Sequence, residues 1–196
     1  MRAIAGRYPH PLKNSEPLST INIRPETPAD IPAIYAVNQV AFDGEAEPRL
    51  VDAIRLSENF IPELSLVAEA DGQVVGHILF SRILIQAETG PIPALSLAPM
   101  AVLPEYQNRG LGSALVRHGL DESRRLGHSI VIVLGHPGYY PRFGFEPAEP
   151  LGIMPPYPVE PSEAWMVVEL APGTLEKAAG TVRVAEALMH EEMWRE

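Results

Sequence analysis

Residues 97–114 read LAPMAVLPEYQNRGLGSA. The apolar run from Leu95 to Val102 is interrupted by Pro99, which predicts an extended strand with a break in its hydrogen-bond ladder. A short loop follows, and Gly110 and Gly112 open a helix expected over Leu111–Leu126, closed by Gly127 as a C-cap. Helix starts expose free backbone N–H groups and the positive end of the helix dipole, a ready anion site. Glycines at 110 and 112 let a phosphate approach the backbone with no Cβ in the way. Arg109 adds positive charge in the loop. The stretch reads as a diphosphate cradle. The plainer alternatives are a helix-entry turn for the glycines and a solvent-facing side chain for Arg109.

Two common phosphate-binding folds do not fit. A dinucleotide fold wants a third glycine where Leu115 stands. A P-loop needs Lys followed by Ser or Thr, and the only lysines are Lys13 and Lys177.

Upstream, Leu64–Ala70 and Gln73–Ile85 read as strands joined by an Asp71-Gly72 hairpin turn. Ala87–Pro93 reads as a polar turn. Thr20–Arg24 alternates like a strand. Thr27-Pro28-Ala29-Asp30 signals a helix start, capped by Thr27 or by Asp30. Ile31, Ile34, Val37 and Ala41 then follow helical spacing, and a second helix is expected over Pro48–Ser57. Downstream, Ser129–Leu134 is a buried β-branched strand. A proline-rich loop follows, with Pro147, Pro150, Pro155, Pro156, Pro158 and Pro161. It reads as a stiff wall on one side of a cleft, or as a polyproline ligand for a partner. Strands at Trp165–Leu170 and Thr181–Val184 and a helical end over Ala185–Trp194 complete the chain. The reading is one mixed α/β domain over residues 19–171, a flexible lead-in over 1–18 and a C-terminal extension over 172–196 packed on the domain.

Composition bounds the function. The 196 residues, 46% hydrophobic, are enough for a substantial core. Fifteen basic against 25 acidic residues give a net charge of −10, which disfavours nucleic acid and anionic membrane as partners. The acidity is uneven: residues 105–127 carry four arginines against three carboxylates, whereas 146–196 carry three basic residues against ten acidic ones. With no cysteine, disulfides, thiolate nucleophiles and cysteinyl acyl carriers are all excluded. No secretory signal or membrane-length apolar run is visible, so a cytoplasmic location is expected. His190-Glu191-Glu192 lacks a second histidine and no other ligand cluster is evident, so no metal is expected.

The pattern Gln107-x-x-Gly110-x-Gly112 after a Pro-interrupted strand resembles the GNAT superfamily of acyl-CoA-dependent N-acyltransferases. A second element agrees: Tyr140 with Gly144-Phe145 matches the Tyr-x-x-x-Gly-Phe that such proteins carry after their fifth strand. The fuller form, Tyr139-Tyr140-Pro141-Arg142-Phe143-Gly144-Phe145 with a Gly135-His136-Pro137 lead, is similar to a small bacterial YhbS-like subgroup. The resemblance spans roughly residues 20 to 170.

It implies a central mixed sheet of about six to seven strands, splayed between the fourth and fifth, with about four flanking helices. It also implies acetyl-CoA as co-substrate and direct acetyl transfer to a primary amine on a small molecule or protein. The diphosphate would be held by Gln107, Asn108, Arg109, Gly110, Leu111, Gly112 and Ser113. The pantetheine arm would run along Met100, Ala101 and Val102, with His136 near the place where relatives carry an Asn. A backbone N–H near Met100 would polarise the thioester carbonyl. Tyr140 would protonate the departing thiolate, with Tyr139 beside it as substitute; Tyr140 as a packed core aromatic is the plainer alternative.

A base is also needed, because an alkyl amine of pKa near 10.4 is only about 0.1% neutral at pH 7. The fourth strand offers no carboxylate, which leaves Glu69, His77, His136 or a water relay. Asp43, Glu45, Glu47 and Asp52 lie where relatives shape the acceptor pocket, which would suit a cationic amine; a solvated acidic face is the plainer alternative. A CoA-binding sensor without catalysis is the competing function. Monomer and homodimer both remain open.

Overall fold

A computed structural model describes residues 21–184. The expected lead-in over 1–18 and helical end over 185–194 lie outside the described residues.

Strand β1 (Asn22–Pro25) pairs antiparallel with β2 (Ser65–Ala70). The chain between them forms α1 (Ile31–Phe42) and α2 (Ala46–Arg55). The two candidate caps of α1 act together. The Asp30 carboxylate accepts from the Thr27 N–H at 2.7 Å and the Thr27 hydroxyl at 2.8 Å, closing a 3-10 turn over Pro28–Asp30 before the helix begins. Arg24 bridges the same Asp30 at 2.7 Å and holds its carboxyl well below the usual range.

The hairpin from β2 to β3 (Gln73–Ala87) turns at Asp71 and Gly72, with φ of 51° and 74°. Positive φ at both positions gives the backbone twist that matches the paired strands. The next strand, β4 (Gly90–Val102), begins five residues before the expected strand at Leu95. Pro91 and Pro93 belong to it, opposite Gln86 and Leu84 of β3. The turn expected over Ala87–Pro93 is therefore only Glu88-Thr89. Prolines two apart direct their missing N–H to one side of a strand. Here the ladder to β3 is intact, so that side is the other edge of β4.

After α3 (Leu111–Arg125) come β5 (Ile130–Leu134), β6 (Glu146–Pro147), β7 (Ile153–Met154), β8 (Trp165–Glu169) and β9 (Gly180–Arg183). The sheet order is β1-β2-β3-β4-β5-β8-β6; β9 lies beside the C-terminal half of β3, where β2 has ended, and β7 pairs with β9. Nine strands form among the described residues, the surplus over six or seven including two-residue strands in the proline-rich segment. That segment is pinned to the sheet: Pro147 pairs with Met166, and the Trp165 indole N–H donates to the Ile153 carbonyl at 3.1 Å. Three α-helices are present among the described residues; a 3-10 turn over Tyr140–Phe143 follows β5 instead of a fourth.

Each face of the sheet is covered. On one, α3 packs Leu111, Leu115 and Val116 against Phe80, Leu97 and Val133. On the other, α1 and α2 bury Ile34, Leu50 and Ile54 over Val67 and Leu79, and the proline-rich segment covers Ile85, Ile132 and Val167. No helix among the described residues is long and apolar enough to cross a membrane.

Candidate active site

Strands β4 and β5 are parallel neighbours through only two pairs, Leu95 with Val131 and Ser96 with Ile132. Beyond Ser96, β4 continues to Val102 along β3 alone. A bulge sits at the divergence: Phe80 faces Leu97 and Ile78 faces Met100, so two residues of β4, Ala98 and Pro99, oppose the single Leu79. A bulge bends and twists its strand, which carries Met100 to Val102 away from β5. The result is a wedge-shaped gap, one side of which is an edge of β4 with no β5 partner.

The loop leaving β4 lies at the mouth of this wedge. The Gln107 side-chain amide donates to the Val102 carbonyl at 2.9 Å. Gln107 thus braces the loop with its side chain. Asn108 and Gly110 both have positive φ, 58° and 85°, which turns the chain sharply into α3. The first intrahelical bond is from the Ala114 N–H to the Gly110 carbonyl at 3.0 Å. The N–H groups of Leu111, Gly112 and Ser113 precede it and find no carbonyl within the helix. Arg109 makes no ion pair among the described residues. Successive N–H groups, a helix dipole and an unpaired guanidinium form an anion cradle.

The segment after β5 closes the mouth from the other side. The His136 imidazole is exposed, and its Nδ1 accepts from the Gly138 N–H at 3.1 Å, tightening the turn. Tyr139 projects toward the start of α3, with its hydroxyl 3.3 Å from Ser113 Oγ. A Cβ on Gly112 would lie 3.0 Å from that hydroxyl and 3.6 Å from Met100 Cε. Met100 of β4, Gly112 of α3 and Tyr139 after β5 therefore converge.

Tyr140 turns the opposite way and is only 7% exposed. Its ring lies so close to the end of β5 that a Cβ on Gly135 would meet Cε2 at 2.3 Å. Edge-on contacts with Tyr139 at 5.2 Å and Phe145 at 5.6 Å hold it. Burial pushes its phenol well above the usual value, and its hydroxyl has no hydrogen-bond partner among the described residues.

Two candidate bases are engaged elsewhere. Arg24 bridges Glu69 at 2.9 Å in the same cluster as Asp30. His77 is fully buried beneath α1. Its Nδ1 faces the Asn38 amide at 3.2 Å, and that amide also donates to the Ile34 carbonyl. The amide donates in both bonds, so Nδ1 accepts and Nε2 carries the proton, 3.0 Å from Ser65 Oγ. Ser65 in turn donates to Glu26, which Arg55 grips at 2.7 and 3.1 Å. This chain ties α1, α2, β2 and β3 together. Sequence spacing gave no sign of it beyond a histidine on an apolar strand.

Burial lowers the His77 pKa to about 3. The unfolded chain, with an ordinary histidine near 6.5, then binds the proton more readily than the native one. Stability should fall as pH drops from about 6.5 toward 3, and the part of the fall above about pH 5 precedes the titration of most carboxylates. Midpoints of urea unfolding between pH 7 and 4.5 check this. The slope should flatten in His77→Gln, leaving the smaller contribution of half-buried His128, whose pKa burial also lowers. An unchanged slope would contradict the assignment.

Among the four acidic residues expected near an acceptor pocket, Glu45 is paired by Arg49, and Asp52 by Arg55 at 2.6 Å. No group of three or more His, Cys, Asp or Glu able to hold a metal ion occurs among the described residues.

A mixed sheet that splits between β4 and β5, with an anion cradle at the mouth of the split, defines a protein of the acyltransferase class that its motifs resemble. Residues 22–148 match the family model for the acetyltransferase (GNAT) domain, and the chain belongs to that family. It is 41% identical over 163 residues to the uncharacterised N-acetyltransferase YjhQ of Escherichia coli, covering 81% of this chain and 88% of that protein. The uncharacterised N-acetyltransferase YhbS of the same organism is 38% identical over 165 residues, 84% of this chain and 96% of its own. The crystal structure of E. coli YhbS in complex with CoA superposes with a TM-score of 0.81 at 32% identity, over 91% of this chain and 97% of that one. A GNAT family acetyltransferase from Brucella melitensis in complex with acetyl-CoA gives 0.70 at 33% identity, over 86% and 98%.

Proposed function

We propose that this protein moves an acetyl group from acetyl-CoA directly to a primary amine. The observation that carries the reading is the wedge beyond Ser96, with the open first turn of α3 on one side and the turn after β5 that holds Tyr139 and Tyr140 on the other. A CoA ester fits these residues. The N–H groups of Leu111, Gly112 and Ser113 with Arg109 suit its diphosphate, and the unpaired edge of β4 over Met100–Val102 suits the amides of its pantetheine arm. Asn108 shapes that cradle through its left-handed backbone, while Gln107 braces the loop against the end of β4. The crystal structures of relatives with CoA and acetyl-CoA support the choice of ligand.

When bound, acetyl-CoA supplies an activated acyl group and a good leaving thiolate. The protein's part is to orient and to hold protons. Backbone N–H on the free edge of β4 polarises the carbonyl. Tyr140 keeps its proton on Oη at neutral pH, since burial raises its pKa, and is the donor to the departing sulfur. His77 and Glu69 are occupied, so the amine proton passes to His136 or to a water relay. With no cysteine in the sequence, no cysteinyl acyl-enzyme stands between acetyl-CoA and the amine.

A second reading, a CoA-binding module without turnover, is favoured by one observation: β4 carries no carboxylate from Gly90 to Val102. Incubating the protein with acetyl-CoA and a panel of amines, and following free thiol, separates the two. Amine-dependent thiol release is expected. Thermal stabilisation by CoA with no release on any amine would favour the second reading.

A further inference from the structure

We propose that Tyr139 is a binding residue for the diphosphate, its hydroxyl and that of Ser113 forming a second arm of the cradle. This rests on the acyl-CoA reading above. Tyr139 is half-buried and its ring is fixed on three sides: edge-on by Tyr140 at 5.2 Å, edge-on by Phe143 at 5.3 Å, and by the Arg142 guanidinium 4.7 Å from its centroid. Arg142 is itself held by the Gly138 carbonyl at 3.2 Å. The phenol therefore reaches the first turn of α3 already ordered, and ligand binding need not supply that ordering.

Its hydroxyl is held rigidly in place but weakly bonded. The 3.3 Å separation from Ser113 Oγ is well beyond the usual 2.7–2.8 Å for paired hydroxyls. An anionic oxygen at the open N–H groups of Gly112 and Ser113 is a far better acceptor, because charge-assisted hydrogen bonds are shorter and about twice as strong. Arg142, stacked on the same ring, adds positive charge beside the site. Tyr139 and Tyr140 thus divide the work: one faces the helix start, the other the buried end of β5.

Titration calorimetry of CoA into the full chain tests this. Tyr139→Phe keeps the ring contacts and should weaken CoA binding about tenfold. Ser113→Ala should weaken it in the same direction, and the losses should be non-additive in the double variant. With pantetheine, which lacks the diphosphate, Tyr139→Phe should bind as the wild type does. Equal losses for both ligands, or no loss for CoA, would overturn the proposal. A hydroxyl that only clamps the helix would lower the melting temperature of the ligand-free protein and leave CoA affinity intact, which also overturns it. If the wild-type protein does not bind CoA at all, the acyl-CoA reading fails with it.

Discussion

Replacing Tyr140 by Phe is expected to slow acetyl transfer by about 10²–10⁴-fold while leaving CoA affinity nearly intact. The thiolate leaves more readily when a proton is delivered as its bond breaks, and only the phenol Oη is lost in this variant. Burial holds that phenol neutral through the physiological range, so a donor is present whatever the pH between 6 and 9. The variant should also fold. Its ring stays against Gly135 and Phe145, and the deleted hydroxyl had no partner among the described residues, so no buried group is left unsatisfied. A drop in turnover can then be read as chemistry. Turnover equal to wild type on an accepted amine would reduce Tyr140 to the packed core aromatic of the plainer reading. The contrast with Tyr139 sharpens the test, since that substitution should act on CoA affinity and this one on rate.

The parts legible in the sequence were those set by neighbouring residues. Asp71-Gly72 announces its turn because both positions need positive φ. Gly110 announces the sharp entry into α3 because the chain takes a positive φ there. What escaped depends on partners distant along the chain. Pro91 and Pro93 looked like a turn because a proline argues against a strand. Only the position of β3 shows that their missing N–H groups sit on a free edge. The proline-rich segment read as a loop because the strands its short pieces pair with, β8 and β9, come later in the chain. His77 stood among the candidate bases because nothing local reports that Asn38 and Ser65 occupy both ring nitrogens. Tyr139 was a mere substitute for Tyr140 because adjacent side chains in a turn leave the chain in different directions, and the sequence does not say which of them meets α3.

The cradle itself yields the other large effect. Glycine in a helix costs about 0.5–1 kcal/mol relative to alanine, so Gly112, with helical backbone and no positive φ, weakens α3 where it stands. Its Cβ direction explains the choice. Side chains of a helix lean toward its N-terminus, and here one would run into the space shared by the Tyr139 hydroxyl, at 3.0 Å, and Met100. Gly112→Leu should therefore abolish CoA binding, by at least about 100-fold, if it blocks two charge-assisted hydrogen bonds of about 1.5–3 kcal/mol each. Gly112→Ala should fall between, since one methyl crowds the Tyr139 hydroxyl at 3.0 Å without filling the space over the open N–H groups. The ligand-free melting temperature of the Ala variant should not drop, because better helix propensity offsets the tight contact. Calorimetric titration with CoA and thermal melts of both variants read these quantities separately. Undiminished CoA affinity in Gly112→Leu would move the diphosphate away from the start of α3, and with it the role given to Tyr139. A graded loss from Gly through Ala to Leu, with the Ala variant's ligand-free stability maintained, is what a cradle retained for its ligand requires.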